Sequence, residues 1–180
     1  WVSGHFNMTA AALRFDPDVT ACGFLNGANT NFTLLNNIAA TTGDCITINA
    51  SGQTLNCNNY QIRASGTAYN AVFSNTFGNI KINNCKLLVE SANSGAGVNF
   101  ANAYGATIEN CSINVTSNTS GKYGIWFQGG AANVNIINTI ITNPYETGIY
   151  MLNHDQNMIK NVTFNTLNGL TIQGSDNVFY

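Results

Sequence analysis

Charge is scarce in this chain. Only 8% of its 180 residues are Asp, Glu, Lys or Arg, against about a quarter in an ordinary soluble protein. That rules out a surface of salt-bridged helices, and other residues must face the solvent. The net charge is −2 and no basic run occurs, which argues against nucleic acid and anionic membranes as partners. No apolar run approaches the roughly 20 residues of a membrane helix, so no membrane insertion is expected. No signal peptide is visible from Trp1 onward, so any that existed has been removed or left out. Proline occurs only twice, and the five cysteines include no Cys-x-x-Cys pair. Zinc-ligand spacing is therefore missing, and neither a metal nor a cofactor is expected. Nucleophilic signatures are missing too. There is no Gly-x-Ser-x-Gly elbow, and Gly129-Gly130 lacks phosphate-loop spacing.

What fills the surface is Asn, Thr, Ser and Gly. The chain holds 31 Asn, and hydrophobic residues reach 44%, enough for one domain with a real core. Sequons stand at Asn7, Asn31, Asn49, Asn110, Asn114, Asn118 and Asn161. With the low charge they point to an extracellular or cell-surface, disulfide-permissive setting.

Internal repetition decides the fold. A short apolar phrase recurs, mostly opened by glycine: Ala71-Val72-Phe73, Gly97-Val98-Asn99-Phe100, Gly124-Ile125-Trp126-Phe127, Gly148-Ile149-Tyr150-Met151 and Gly169-Leu170-Thr171-Ile172. The steps between openings are 26, 27, 24 and 21 residues. A second phrase follows each, as in Asn79-Ile80-Lys81-Ile82-Asn83-Asn84-Cys85 and Ala106-Thr107-Ile108-Glu109-Asn110-Cys111. An apolar pair then closes the unit: Cys85/Leu87, Cys111/Ile113, Thr139/Ile141, Val162/Phe164. Polar and apolar residues alternate inside each piece, which is strand periodicity. The loops lack the turn chemistry that hairpins need. Coiling satisfies the pattern, with each strand pairing with its equivalent in the next turn. The expectation is an all-β parallel solenoid of about six coils with three short strands per coil, spanning residues 31–180. Residues 45–70 would form its first coil. Leu55, Ile82, Ile108, Ile136 and Ile159 should stack in one buried column, and Leu87, Ile113, Ile141 and Phe164 in another. Asn84, Asn110, Asn138 and Asn161 fall at the bend between second and third strands. Asn tolerates the left-handed conformation of such a bend, and stacked amides can bond along the column. Residues 1–30 do not fit the repeat and are expected to cap the first coil or to exchange between subunits.

These phrases resemble the repeats of the pectate-lyase-like superfamily of right-handed parallel β-helices. The run from Asn31 to Ile62 is similar to the first coils of bacterial and archaeal surface β-helix proteins. The resemblance, together with the general crossover rule, implies a right-handed coil. It does not imply an activity, because that superfamily mixes lyases, hydrolases, adhesins and surface-layer components. Its lyases use acidic clusters for calcium and a basic residue as proton acceptor. Its hydrolases use paired Asp residues near Gly-His-Gly and Arg-x-Lys. None of those motifs occurs here. The eight acids, Asp16, Asp18, Asp44, Glu90, Glu109, Glu146, Asp155 and Asp176, give no neighbouring pair in an outward column, whereas glycoside hydrolysis needs two carboxylates about 5–9.5 Å apart. His154-Asp155 is the remaining candidate, and a polar loop turn explains it better, so no catalytic residue is expected. Cys22 and Cys45 resemble the paired cysteines that open similar surface domains, a closure contributing about 3 kcal/mol. Cys85 and Cys111 share an inward column in adjacent coils. A disulfide between them is within reach, and buried free thiols are the alternative. Cys57 is left over and buried.

Alternation assigns an outward column on the first strands: Thr47, Phe73, Asn99, Trp126, Tyr150, Thr171. Three aromatics among them make Phe73, Asn99, Trp126 and Tyr150 the candidate binding face, because aromatic rings stack on sugars and anchor protein partners. A loop or the N-terminal segment folded over them is the plain alternative. Asn31, Asn49, Asn114 and Asn118 are the expected glycan acceptors, while Asn110 and Asn161 belong to the bend ladder. Two functions follow. The first is a non-catalytic extracellular structural protein that self-associates head-to-tail into a filament or surface layer, with residues 1–15 as the exchanged segment. The second is a carbohydrate-binding or carbohydrate-active module using the aromatic stripe.

Overall fold

Four successive turns of the chain bend where an Asn supplies a positive φ. Asn84, Asn110, Asn138 and Asn161 have φ of 54°, 52°, 48° and 52°, the left-handed region that Asn adopts more readily than other side chains. The strands they separate are parallel to their equivalents one turn away. A computed structural model describes residues 17–116, 120–130, 132–152 and 155–180. They form a right-handed parallel β-helix of about six turns.

Three columns of strands run the length of the solenoid. The first holds Gly23–Leu25, Ile46–Ile48, Val72–Asn75, Gly95–Ala101 and Lys122–Gln128, then the later parts of Ile140–Leu152 and Thr163–Gln173. The second begins with Asp18–Val19, Asn31–Leu34 and Thr54–Asn56, continues through Lys81–Asn83, Thr107–Glu109, Asn135–Ile137 and Met158–Lys160, and ends at Val178–Phe179. Ile38–Gly43, Gln61–Ala68, Lys86–Val89 and Ser112–Val115 open the third, which the early parts of Ile140–Leu152 and Thr163–Gln173 complete.

Inward positions stack in register. Leu55, Ile82, Ile108, Ile136 and Ile159 are consecutive partners and all are buried. Leu87, Ile113, Ile141 and Phe164 form the second expected column. At the bend, Asn84 Nδ2 donates to Asn56 Oδ1 at 3.2 Å, Asn138 Nδ2 to Asn110 Oδ1 at 3.3 Å, and Asn161 Nδ2 to Asn138 Oδ1 at 3.1 Å. Hydrogen bonds therefore run along the axis on the side chains as well as on the backbone.

The solenoid begins earlier than the repeat indicated. Asp18–Val19 pairs with the segment Thr33–Leu34, and Gly23–Leu25 with Ile46–Ile48, so residues from 18 onward belong to the helix and not to a cap. Short two- and three-residue strands with little alternation hid them. The remainder of the expected cap, residues 1–16, lies outside the described residues, and with it the exchange segment 1–15.

The cysteines pair differently from one expectation. Cys22 and Cys45 are joined, Cα atoms 4.6 Å apart. Cys85 bonds to Cys57, Cα atoms 4.8 Å apart, and Cys111 is a buried free thiol. Register explains the choice. Lys86 aligns with Ser112, so Cys85 and Cys111 are stacked in register with parallel side chains. The turn containing Cys57 holds two extra residues between Asn56 and Gln61, relative to Asn83 and Lys86. Cys57 therefore approaches Cys85 from an offset position.

Candidate functional site

A glycine ladder shapes the outer face. Gly97, Gly124, Gly148 and Gly169 occupy equivalent positions where the third column turns into the first. A Cβ on Gly97 would stand 2.8 Å from the Gly124 carbonyl oxygen, and one on Gly148 2.6 Å from that of Gly169. Only glycine lets the turns stack this closely at the corner. The corner also changes which residues point outward. Gly124 and Ile125 are both buried, while Tyr123 before them and Trp126 after them both reach solvent. In a straight strand, residues three apart would lie about 10 Å from each other on opposite faces. Here the ring centroids of Tyr123 and Trp126 are 5.0 Å apart, tilted 41°.

Tyr150, one turn on, is in register with Trp126. Its ring lies 4.9 Å from that of Tyr123, tilted 37°. The three rings line an open cleft of about 580 Å³ with Phe127, Gln128, Gly129 and Gly130, within the usual range of roughly 300–1,000 Å³ for small-molecule sites. Gly129, at φ 73°, lets the strand leave toward Gly130, and a Cβ there would strike the Asn102 amide. Below Tyr150, Asn143 staples the turn. Its Nδ2 donates to the Lys122 and Thr147 carbonyls at 3.1 and 3.2 Å, and its Oδ1 accepts from Glu146 N at 3.1 Å. Burial, followed by the neighbouring Tyr150 and Glu146, raises the Tyr123 hydroxyl above its ordinary pKa of 10.0.

The outward column Phe73, Asn99, Trp126, Tyr150 exists in register, but only Trp126 and Tyr150 line the cleft. Phe73 is half-buried outside it. Asn99 is buried, its Oδ1 accepting from Gln128 Nε2 at 3.1 Å. Burial beside longer side chains, which alternation does not register, sets it back from the cleft. Tyr123 and Gln128 were missed. The recurrent glycine two residues before each of Trp126 and Tyr150 was the available signal, since it marks a corner where alternation breaks.

Four of the acids are engaged elsewhere. Glu90 pairs with Arg63 at 2.5 Å and Glu109 with Lys81 at 2.7 Å. Asp44 Oδ1 accepts from Asn70 Nδ2 at 2.7 Å, and burial raises its pKa above the ordinary 3.8. Asp155 Oδ1 accepts from Ser175 N at 2.6 Å, a loop contact, while His154 lies outside the described residues. Among the described residues no cluster of His, Cys, Asp and Glu could hold a metal ion, and no helix is long and apolar enough to cross a membrane. Of the expected glycan acceptors, Asn31 and Asn49 are exposed, Asn114 is half-buried and Asn118 lies outside the described residues. Asn110 and Asn161 are exposed as well. What distinguishes that pair is the ladder of amide hydrogen bonds, not burial.

With the three columns and the outer cleft in view, comparison with known families gives the class. The model of the right-handed β-helix region matches residues 70–180, and the chain belongs to that family. No curated protein and no solved structure matches it.

Proposed function

We propose that this chain is a non-catalytic extracellular β-helix module that holds carbohydrate in the cleft of Tyr123, Trp126 and Tyr150. The contact of three partly exposed rings across the Gly124 corner carries the reading, because such a surface stacks on the apolar face of a sugar while its hydroxyls and N–H bond the edge. Two disulfides support an oxidising compartment, as do the seven sequons. The engagement of Glu90, Glu109, Asp44 and Asp155 in structural contacts supports binding without hydrolysis. Native electrophoresis through gels containing soluble polysaccharides tests it. Retardation that Trp126→Ala strongly weakens is the expected result.

Head-to-tail association of copies into a filament is a second reading. What supports it is the stacking of the solenoid itself, in which each strand pairs in parallel with its equivalent one turn away, a pattern that a further copy can extend. A second copy offering Asp18–Val19 and Ile38–Gly43 would continue the ladder. Electron microscopy and sedimentation of the purified chain test it. A monodisperse monomer at high concentration would discard this reading and leave the first untouched.

A further inference from the structure

The cleft has a chemical preference written into its walls. Among the described residues no charged side chain lines it. Its polar groups are the Tyr123 and Tyr150 hydroxyls, the Trp126 indole N–H, the Gln128 amide and the backbone at Gly129 and Gly130. Lys122, the cation next to Tyr123 in sequence, is turned into the protein. Its side chain is wholly buried, and Nζ donates to the Ser91 carbonyl at 2.7 Å, to Ser91 Oγ at 3.0 Å and to the Asn93 carbonyl. Glu146, near Tyr123, contributes negative charge beside the cleft. The exposed ring faces add the negative pole of their quadrupoles. A carboxylate entering this cleft would lose water, meet no counter-ion among the described residues and face like charge.

A cationic ligand is disfavoured for a different reason. An ammonium group is held best when ring faces converge on one point. Here the rings touch one another, with centroids 4.9 and 5.0 Å apart, so they form one continuous tilted platform and not a box around a void. A platform of this kind, with hydroxyl and amide groups at its edge, suits a flat pyranose face flanked by equatorial hydroxyls.

We infer, resting on the reading of the cleft as a glycan site, that its ligand is a neutral saccharide and that uronic-acid polymers are rejected. The interaction then lacks an ionic component, and salt leaves it unchanged.

Affinity electrophoresis of the whole chain tests this with galactomannan, xyloglucan and hydroxyethylcellulose as neutral probes, polygalacturonate as the anionic one, and choline as a competitor. Retardation is expected in at least one neutral gel, unchanged between low salt and about 0.5 M salt. Trp126→Ala, checked for folding by circular dichroism, should weaken it at least tenfold, and polygalacturonate should not retard the protein. Retardation by polygalacturonate alone overturns the selectivity and leaves the glycan reading standing. Displacement by choline overturns the selectivity in favour of a cation. Failure of every neutral and anionic probe to retard the protein overturns the glycan reading itself.

Discussion

Gly124 faces the carbonyl oxygen of Gly148 in the next turn so closely that a Cβ on Gly124 would lie 2.5 Å from that oxygen and would also strike Ile141. The corner that brings Tyr123 and Trp126 together depends on this approach. Gly124→Ala is therefore expected to destabilise the fold by about 1–3 kcal/mol, the usual cost of overpacking. It should also weaken glycan retardation by more than the stability loss explains, because the two rings are pushed apart. Chemical denaturation alongside affinity electrophoresis separates the two effects.

Asn138 holds two roles at its bend, a φ of 48° and hydrogen bonds to Asn110 and Asn161. Asn138→Gly keeps the backbone conformation and loses the amide bonds, at about 0.5–1.5 kcal/mol each. Asn138→Ala loses the bonds and adds left-handed strain of roughly 1–2 kcal/mol. Alanine should be the more destabilising of the two in urea unfolding. The reverse order would show that the left-handed φ does not govern the position.

Burial pushes the Cys111 thiol up from 9.0 to about 12. A thiol whose folded pKa is raised stays protonated in the native chain while the unfolded chain ionises, so its contribution is complete below about 9 and is lost as pH rises toward 12. Stability should fall across that alkaline window by up to about 1.4 kcal/mol per pH unit from this group, with Tyr123, also raised, adding at the upper end. Cys111→Ala should flatten the slope. At neutral pH, a thiol reagent should find one reactive group only after unfolding.

Proteolytic mapping without reduction should return Cys22 with Cys45 and Cys57 with Cys85. A peptide linking Cys85 to Cys111 would contradict the offset geometry around Cys57.

Glycan mapping of material from a glycosylating source should find sugar on Asn31 and Asn49, both exposed, and on Asn114 and Asn118. Asn161 should be bare, because its Nδ2, the atom a glycan needs, donates to Asn138, and Asn110 should be bare because a glycan there would disrupt the stacked amide ladder it forms with Asn138.

The repeat alone determined which residues stack. Ile82 over Ile108, Asn110 over Asn138 and Trp126 over Tyr150 all follow from a period of one turn, since every strand pairs with its own equivalent. Translation along an axis preserves sequence spacing, so inward and outward columns are legible without coordinates. Tertiary structure decided what happens where that regularity breaks. The corner at Gly124 reverses the alternation and sets Tyr123 beside Trp126. Two extra residues before Gln61 carry Cys57, and not Cys111, onto Cys85. The Gln128 amide bonds Asn99, which is buried. Each of these depends on how closely one turn approaches the next and from which side. That distance is set by three-dimensional packing, and no spacing along the chain records it.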